Sequence, residues 1–361
     1  MSNYFEYHDT VAFHPGYYIK EIIEERAMTQ EEFARRLGTT PKTLSLLLRG
    51  EQSLSVDIAM KLSRLLGTSI AYWLNLQNSY DALTAEYRSD LELEEEKQIL
   101  DILDYEEFTN LYSLPDPQKA KADQILRVRR YLDLSSLTSL KKKDLTAPFR
   151  SFGESVSERK TIRANATVQI AVNRAMETID PAESGIPHYS RTRFRRYAQN
   201  ALSLTRDQDS VCSSLRQTFL ESGVILVILP VLPGAEVSGA VRKIGDQVLL
   251  LISEDSLTSD LFWYRLYREI GNILSGEYGI TFEGLTENKR APACSFAEDT
   301  LISPSLYRNF VKTGHFDTAS VKAFSDQISR TPGIVLGRLK RDGYLDTFDQ
   351  SMEPLICRYT V

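Results

Sequence analysis

The chain has 361 residues and a formal net charge of −6, with 42% hydrophobic and 25% charged residues. This length is typical of two or three globular domains, and the acidic balance means that any nucleic-acid-binding surface must be a local basic patch. The three cysteines are far apart, no apolar run approaches the ~20 residues that span a membrane, and no leader pattern is present. We therefore expect a cytoplasmic protein without disulfides, signal peptide or membrane span.

Residues 13–83 have the pattern of five short helices separated by start and stop signals. The first helix is predicted over Pro15–Arg26, and Gly38 and Gly50 end the second and third helices. Hydroxyl side chains that can cap a helix precede the other four helices, at Thr29, Thr40, Ser55 and either Thr68 or Ser69. Two helices joined by a short turn in a unit of this size predict a helix-turn-helix DNA-binding domain.

The second and third helices carry a local positive charge. Between Phe33 and Gly50 there is no acidic residue, and the basic residues are Arg35, Arg36, Lys42 and Arg49. A positive face on a domain of nearly balanced charge is suited to phosphate contacts. A helical interaction module with a solvated basic face is the alternative.

Several stretches of this segment resemble the HigA-type antitoxins of the Xre helix-turn-helix family. They are His14-Pro15-Gly16, the run from Met28 to Ala34, Thr43-Leu44-Ser45, Leu47-Leu48, and the run from Ala71 to Gln77 followed by Tyr80-Asp81. The resemblance implies a homodimer that binds operator DNA and represses its own operon. It also implies a protein toxin as partner, a basic RelE-like ribonuclease.

The resemblance places the DNA contacts on the third helix and the turn before it. The base-reading positions are Thr39, Thr40, Lys42, Thr43 and Ser45, and the phosphate-contacting positions are Gln30 and Arg49. Leu46 stands where the family usually has a polar or basic residue, so it either contacts a thymine methyl group or packs against protein. His14 is expected to cap a helix rather than to titrate.

Residues 84–195 are predicted to form a helical middle region with segregated charge. Ten acids lie between Glu86 and Glu107, and eight basic residues lie between Lys119 and Lys143. Either these helices pair with one another, or the acidic stretch binds a basic partner such as the toxin. Breaks are expected at residues 133–139 and 148–153.

Residues 196–361 are predicted to form a small α+β domain with a helical C-terminal extension. A buried strand is predicted over 223–229, and a hairpin over 240–244 and 247–251 turns at Gly245-Asp246. The order of these elements, followed by a helix at 262–274, resembles the ImmA/IrrE metallopeptidase-like family over about residues 200–345. The resemblance implies a zincin-like domain with a short sheet.

The helix at 262–274 differs from that family at its metal ligands. In an H-E-x-x-H helix two histidines bind zinc and the Glu is the general base; here the Glu is Glu269, and the ligand positions hold Arg268 and Asn272. The family's third ligand falls near positions 290–292, which are Arg290, Ala291 and Pro292. We therefore predict a degenerate site without metal, cofactor or catalytic residues. A rescued metal site from Glu269, Glu283, Glu287 and His315 is the alternative, and Cys294 is expected to be a buried thiol.

Together these observations predict a mainly α protein: a five-helix helix-turn-helix domain over 13–83, a helical middle over 84–195 and the degenerate domain over 196–361. The predicted function is DNA-binding transcriptional autoregulation as the antitoxin of a toxin–antitoxin module, with a non-catalytic peptidase-like domain that binds a partner or ligand. Two alternatives remain: a metallopeptidase that cleaves a repressor, and a stress or phage regulator that senses a ligand.

Overall fold

The computed structural model describes residues 4–114, 119–142, 156–179, 185–207, 209–282, 292–346 and 350–361. The chain divides into an N-terminal unit over Met1–Glu95 and a C-terminal unit over Glu96–Val361. None of the helices in the described ranges combines the length and the apolar character needed to cross a lipid bilayer.

The N-terminal unit begins with a two-stranded hairpin that the sequence patterns did not predict. Strands β1 (Tyr4–Tyr7) and β2 (Thr10–Phe13) pair antiparallel. The hydroxyl of Tyr7 donates a hydrogen bond to Asp90, and this contact raises the pKa of Tyr7 to about 12. Each strand has four residues, which is too short for a two-residue alternation to be recognised in the sequence.

The helices of the N-terminal unit follow the predicted start signals. They are α1 (Pro15–Glu25), α2 (Gln30–Leu37), α3 (Pro41–Leu48) and α4 (Val56–Leu66). The side chains of Thr29, Thr40 and Ser55 each accept a hydrogen bond from the amide three residues later, so the three predicted caps are confirmed. Ile19, Phe33, Leu44, Leu62 and Trp73 are fully buried in one core.

The predicted boundary between residues 83 and 84 lies inside a helix. Helix α5 runs without interruption over Ile70–Leu103, and the sequence of this segment contains neither glycine nor proline. The acidic residues from Glu86 onward change the character of the helix surface, but a change of charge does not end a helix. The separation between the two units falls instead at Glu95 and Glu96.

The helical middle forms part of the C-terminal unit. Helices α6 (Tyr105–Leu111), α7 (Lys121–Leu132) and α8 (Glu158–Thr178) follow α5. The predicted break at 133–139 begins directly after the last residue of α7 and contains the start of a 3-10 helix over Leu137–Lys141. The other predicted break, at 148–153, lies outside the described residues.

One acid of the predicted acidic stretch is a structural residue. Glu96 is fully buried, and its carboxylate accepts hydrogen bonds from Arg129 Nε at 2.8 Å and from Ser136 at 3.1 Å. Asp101 also pairs with Lys121, at 2.7 Å. At these two positions the acidic and basic stretches pair within the chain, as one of the two predicted alternatives requires.

The predicted boundary between residues 195 and 196 also falls within a helix. Helix α9 covers Arg191–Asn200, and Phe194 on it belongs to the same core as Phe219 of helix α10 (Val211–Leu220). Their rings lie 5.3 Å apart. The arginines around Phe194 made this helix resemble the charged middle region, whereas its single buried aromatic side chain assigns it to the C-terminal core.

A four-stranded sheet lies at the centre of the C-terminal unit. Its strands are β3 (Val224–Leu229), β4 (Val237–Ile244), β5 (Gln247–Ser253) and β6 (Gly279–Phe282), in the order β3-β5-β4-β6. β3 and β5 are parallel and the other pairs are antiparallel. The predicted strand and the predicted turn at Gly245-Asp246 are confirmed, since Ile244 lies opposite Gln247.

Helices cover both faces of this sheet. Helix α8 packs against β3, β4 and β5, while α10 and α11 (Phe262–Ser275) share a core with Val224, Leu226 and Ile228. Side chains alternate along a strand, so α8 lies against the opposite face from α10 and α11. The remaining helices are α12 (Pro292–Leu301), α13 (Pro304–Lys312), α14 (Thr318–Gln327) and α15 (Pro332–Arg341).

Candidate functional site

Helices α2 and α3 form the helix-turn-helix, and the turn between them is defined by two local features. Gly38 ends α2 in the left-handed conformation, with φ of 69°, which glycine adopts without a steric penalty. The Thr40 side chain then accepts a hydrogen bond from the Thr43 amide at 3.1 Å and caps α3. Capping of this kind contributes about 1 kcal/mol.

Helix α1 packs against the buried side of helix α3. Its buried side chains are Leu44, Leu47 and Leu48. A Cβ atom built on Gly16 would lie 2.0 Å from the carbonyl oxygen of Leu47, so only glycine allows the two backbones to approach this closely. The close contact fixes the orientation of α3 and leaves the opposite side of the helix open to solvent.

Two predicted DNA-contacting residues are exposed and available. Lys42, at the start of α3, and Gln30, at the start of α2, both lie on the surface. Within the described residues, neither side chain takes part in a hydrogen bond or an ion pair. A lysine in this position can donate to a phosphate or a base edge, and a glutamine can do the same.

The predicted threonines have a second role in the fold. The hydroxyl groups of Thr40 and Thr43 lie 2.9 Å apart, and the Thr40 oxygen already accepts from the Thr43 amide. Thr40 therefore serves first as a helix cap. Thr43 and Thr39 are half-buried, so each presents only part of its side chain to a ligand.

Arg49 is engaged by an acid just beyond the acid-free segment. Its Nε atom lies 2.9 Å from one Glu51 oxygen and its second terminal nitrogen lies 3.1 Å from the other. The remaining terminal nitrogen donates to Ser45 at 3.2 Å. Thus two predicted DNA contacts, Arg49 and Ser45, are bonded to each other, and Glu51 neutralises the arginine. Glu51 was not among the residues predicted to affect DNA contact, although it lies only two positions after Arg49 in the sequence.

His14 caps α1, as predicted. Its Nδ1 atom accepts a hydrogen bond from the Gly16 amide at 3.1 Å, and the ring is almost completely buried. Its edge packs against Tyr80 with ring centroids 5.1 Å apart. Burial lowers the pKa of His14, and the smaller effect of the negative charge on Asp81 raises it.

In the C-terminal unit, the three residues of the predicted degenerate motif lie together on α11. Arg268, Glu269 and Asn272 are all buried. Arg268 Nε lies 3.4 Å from one Glu269 oxygen, and Asn272 Nδ2 donates to the other at 3.0 Å. Arg268 also donates to the Ser238 hydroxyl on β4 at 2.7 Å.

In this arrangement the Glu269 carboxylate accepts one hydrogen bond from Asn272 and lies beside the Arg268 guanidinium, and neither neighbour is a ligand for a cation. A guanidinium has no lone pair, and the Asn272 amide uses its nitrogen to donate to Glu269. A Cβ atom on Gly239 of β4 would lie 3.0 Å from Glu269 Cγ, so the strand closes tightly over the acid.

Most of the other residues at the predicted metal-ligand positions lie in a part of the chain that the structure does not describe. Glu283, Glu287, Arg290 and Ala291 lie outside the described residues. His315 is exposed in the turn between α13 and α14, whereas Cys294 is a buried thiol outside any disulfide, as predicted.

Comparison with known proteins concerns the N-terminal unit. A family model described as helix-turn-helix matches residues 19–73. The Escherichia coli (strain K12) protein named uncharacterized HTH-type transcriptional regulator YddM is 40% identical over 77 residues, which are 21% of this chain and 82% of that protein.

Two solved structures are similar over the same part of the chain. An addiction module antidote protein of a HigA family from Coxiella burnetii is 30% identical, with a TM-score of 0.22, and the match covers 23% of this chain and 92% of that chain. A Pseudomonas aeruginosa protein solved in complex with its operator DNA is also 30% identical, with a TM-score of 0.22 and coverages of 24% and 90%.

The matched segment contains α2, the turn at Gly38 and α3, so the sequence comparison and the local geometry concern the same residues. The chain therefore belongs to the helix-turn-helix family of DNA-binding transcriptional regulators.

Proposed function

We propose that the chain is an autoregulator that binds its own operator as a homodimer and acts as the antitoxin of a toxin–antitoxin module. The observation that carries the DNA-binding part of this proposal is the exposed start of α3, where Lys42 has no partner among the described residues. The antitoxin part is supported by the resemblance of residues 14–81 to HigA-type antitoxins. In a dimer the two α3 helices would enter successive major grooves, about 34 Å apart.

Operator binding is tested by measuring the fluorescence anisotropy of a labelled duplex from the chain's own upstream region, with a scrambled duplex as competitor. We expect a clear preference for the upstream duplex at moderate salt. Lys42→Ala should weaken binding by about 1–3 kcal/mol if it reads a base. Lys20→Ala, an exposed lysine on α1 paired with Glu24, is the matched control. Equal binding of both duplexes would refute operator recognition.

We further propose that the C-terminal unit has lost peptidase activity and serves as a binding domain. Support comes from Arg268 and Asn272, which occupy the two ligand positions of an H-E-x-x-H helix and contact Glu269 through an ion pair of 3.4 Å and a hydrogen bond of 3.0 Å. The competing function, cleavage of a repressor, requires a metal ion at this helix. Elemental analysis of the purified chain distinguishes the two, because a peptidase must contain about one zinc ion per chain.

The proposed toxin partner would be a basic ribonuclease. Acids that remain on the surface of α5 and α6, such as Glu94 and Glu106, could cover its positive active surface by charge complementarity. Co-purification with the product of a small basic reading frame adjacent to this gene tests this part. Failure of co-purification with intact operator binding would leave a repressor without a toxin.

A further inference from the structure

The C-terminal unit has an open strand edge. β3 is the last strand of its sheet and pairs only with β5 in the described part of the chain. The Val248 amide donates to the Gly223 carbonyl at 3.0 Å. In a parallel ladder, main-chain groups alternate in direction along the strand. The N–H and C=O groups of Leu226 and Ile228 therefore point away from β5, and no described residue outside β5 hydrogen-bonds to them.

A groove follows this edge. Its volume is about 360 Å³, and Ile225, Leu226, Val227 and Ile228 form its floor. One wall is the end of α8, and the other is α10. Because α8 and α10 lie on opposite faces of the sheet, the groove between them lies in the plane of the sheet, beside β3. We call this groove the slot. Its position is that of a fifth strand added beside β3.

The walls of the slot are positively charged. Arg174 on α8 is exposed and Arg216 on α10 is half-buried; they are the charged residues among its described lining, and the polar lining residues are Thr178, Ser213 and Gln217. Neither arginine forms an ion pair with any residue in the described ranges. The two guanidinium groups therefore stand on the two sides of the slot without a counter-ion.

We propose that this slot binds an extended acidic segment of a protein partner, which adds to the sheet beside β3. Pairing with the edge would satisfy the outward main-chain groups of Leu226 and Ile228. Side chains of neighbouring residues in a strand point to opposite faces. Two consecutive acids in the segment therefore direct one carboxylate to Arg174 and the next to Arg216.

A peptide fits the slot better than a nucleic acid does. The outward carbonyl groups of β3 need hydrogen-bond donors at strand spacing, and a peptide backbone supplies donors and acceptors alternately. A phosphodiester backbone supplies acceptors only, so it could pair with the arginines but not with the carbonyl groups. This inference does not depend on operator binding, because all of its residues belong to the C-terminal unit.

The test uses the full chain and a fluorescein-labelled peptide, Thr-Val-Thr-Glu-Glu-Thr-Val-Thr, in an anisotropy titration. We expect saturable binding, and hydrogen–deuterium exchange should show new protection confined to the amides of residues 224–229. The double variant Arg174→Gln, Arg216→Gln should weaken binding at least about tenfold, the equivalent of one charge-assisted hydrogen bond. The double variant Arg195→Gln, Arg196→Gln on α9 removes the same charge elsewhere and should bind as the natural chain does.

Two further probes separate strand addition from simple charge attraction. A peptide with Lys-Lys in place of Glu-Glu and a peptide N-methylated at alternate residues should both fail to bind. Equal binding of the N-methylated peptide, unchanged binding by the Arg174/Arg216 variant, or no binding up to about 1 mM would overturn the proposal. It would also be overturned if a single-stranded oligonucleotide bound in an Arg174- and Arg216-dependent manner while the peptide did not.

Discussion

The Asn272 amide donates a hydrogen bond of 3.0 Å to the Glu269 carboxylate, three residues earlier on α11. The other oxygen of that carboxylate faces Arg268 Nε at 3.4 Å. Glu269 is fully buried, and a buried carboxylate is tolerated only when it is paired and hydrogen-bonded. In this chain the acid of helix α11 is therefore part of the folded core.

Because Glu269 is buried and paired, we expect Glu269→Gln to change the stability of the fold. The substitution leaves Arg268 buried beside a neutral amide, and breaking a buried pair by removing one partner costs about 3–5 kcal/mol. We expect a lower melting temperature of the C-terminal unit, no change in zinc content and unchanged operator affinity. Calorimetry, elemental analysis and anisotropy measure the three quantities.

The control for this prediction is Glu298→Gln on α12. Glu298 pairs with Arg338 at 3.0 Å but remains partly exposed, so its removal should cost less. Loss of one zinc ion per chain on Glu269→Gln would contradict the proposed absence of a metal site and restore the peptidase hypothesis.

Glu51 is expected to weaken DNA binding. It neutralises Arg49 through two hydrogen bonds of 2.9 and 3.1 Å. Glu51→Gln should release the guanidinium for a phosphate contact and increase the dependence of log K on log salt by about one unit. Anisotropy titrations at several salt concentrations measure this slope.

The companion variant Arg49→Gln completes the test. In the natural chain Arg49 is already paired with Glu51 and contributes little to phosphate binding. Arg49→Gln should therefore change the slope of log K against log salt much less than Glu51→Gln does. If Arg49→Gln instead removed a full unit of slope, Arg49 would leave Glu51 when DNA binds, and the pairing would belong to the free protein only.

His14 should make the N-terminal unit less stable in mild acid. Burial lowers the pKa of His14 from its ordinary 6.5, so the unfolded chain takes up a proton at a higher pH than the folded chain does. The free energy of unfolding therefore has its full value, as far as His14 is concerned, above pH 6.5. It decreases progressively as the pH falls below 6.5 towards the folded-state pKa of His14. Chemical denaturation of the full chain at pH 7.5 and pH 5.5 should show this difference.

Two variants isolate the contribution of His14. His14→Asn keeps a side chain that can accept from the Gly16 amide but removes the titration, so its stability should change less between the two pH values. His188→Asn replaces an exposed histidine that pairs with Asp246 at 3.1 Å. This variant should lose as much stability between pH 7.5 and pH 5.5 as the natural chain does. An unchanged pH dependence in His14→Asn would assign the effect to other groups.

We expect the acids between Glu86 and Glu107 to fall into two groups: buried residues that stabilise the fold and exposed residues that contact the toxin. Glu96→Gln removes the buried charge that pairs with Arg129 and replaces one of its two acceptor oxygens with an amide donor, so it should destabilise the C-terminal unit by several kcal/mol. Glu94 and Glu95 are exposed, and exposed ion pairs contribute only about 0–1 kcal/mol. Their charge reversal should therefore lower the melting temperature much less than Glu96→Gln does, while it reduces toxin neutralisation in a growth assay. Reversal of the exposed Glu24 and Glu25 on α1 is the charge-matched control. Full neutralisation by the Glu94/Glu95 variant would place the toxin contact elsewhere.

Local sequence signals were sufficient for the helix-turn-helix. The caps at Thr29 and Thr40 and the stop at Gly38 act between residues at most five positions apart, so the pattern itself specifies them. The same is true of the turn at Gly245-Asp246. The apolar residues of α3, such as Leu44, recur at helical spacing and therefore predicted their own burial.

Only the tertiary structure decided which charges are available. The family resemblance grouped Arg49 with Lys42 as DNA contacts, yet Arg49 is paired with Glu51 and Lys42 has no partner among the described residues. It grouped Glu96 with the acids around it, yet Glu96 is buried against Arg129, 33 positions away. Pairing between distant residues depends on which helix faces meet, and residue type alone does not specify this. The open edge of β3 has the same origin, because the order of strands in a sheet is set by packing between segments that are separated in sequence.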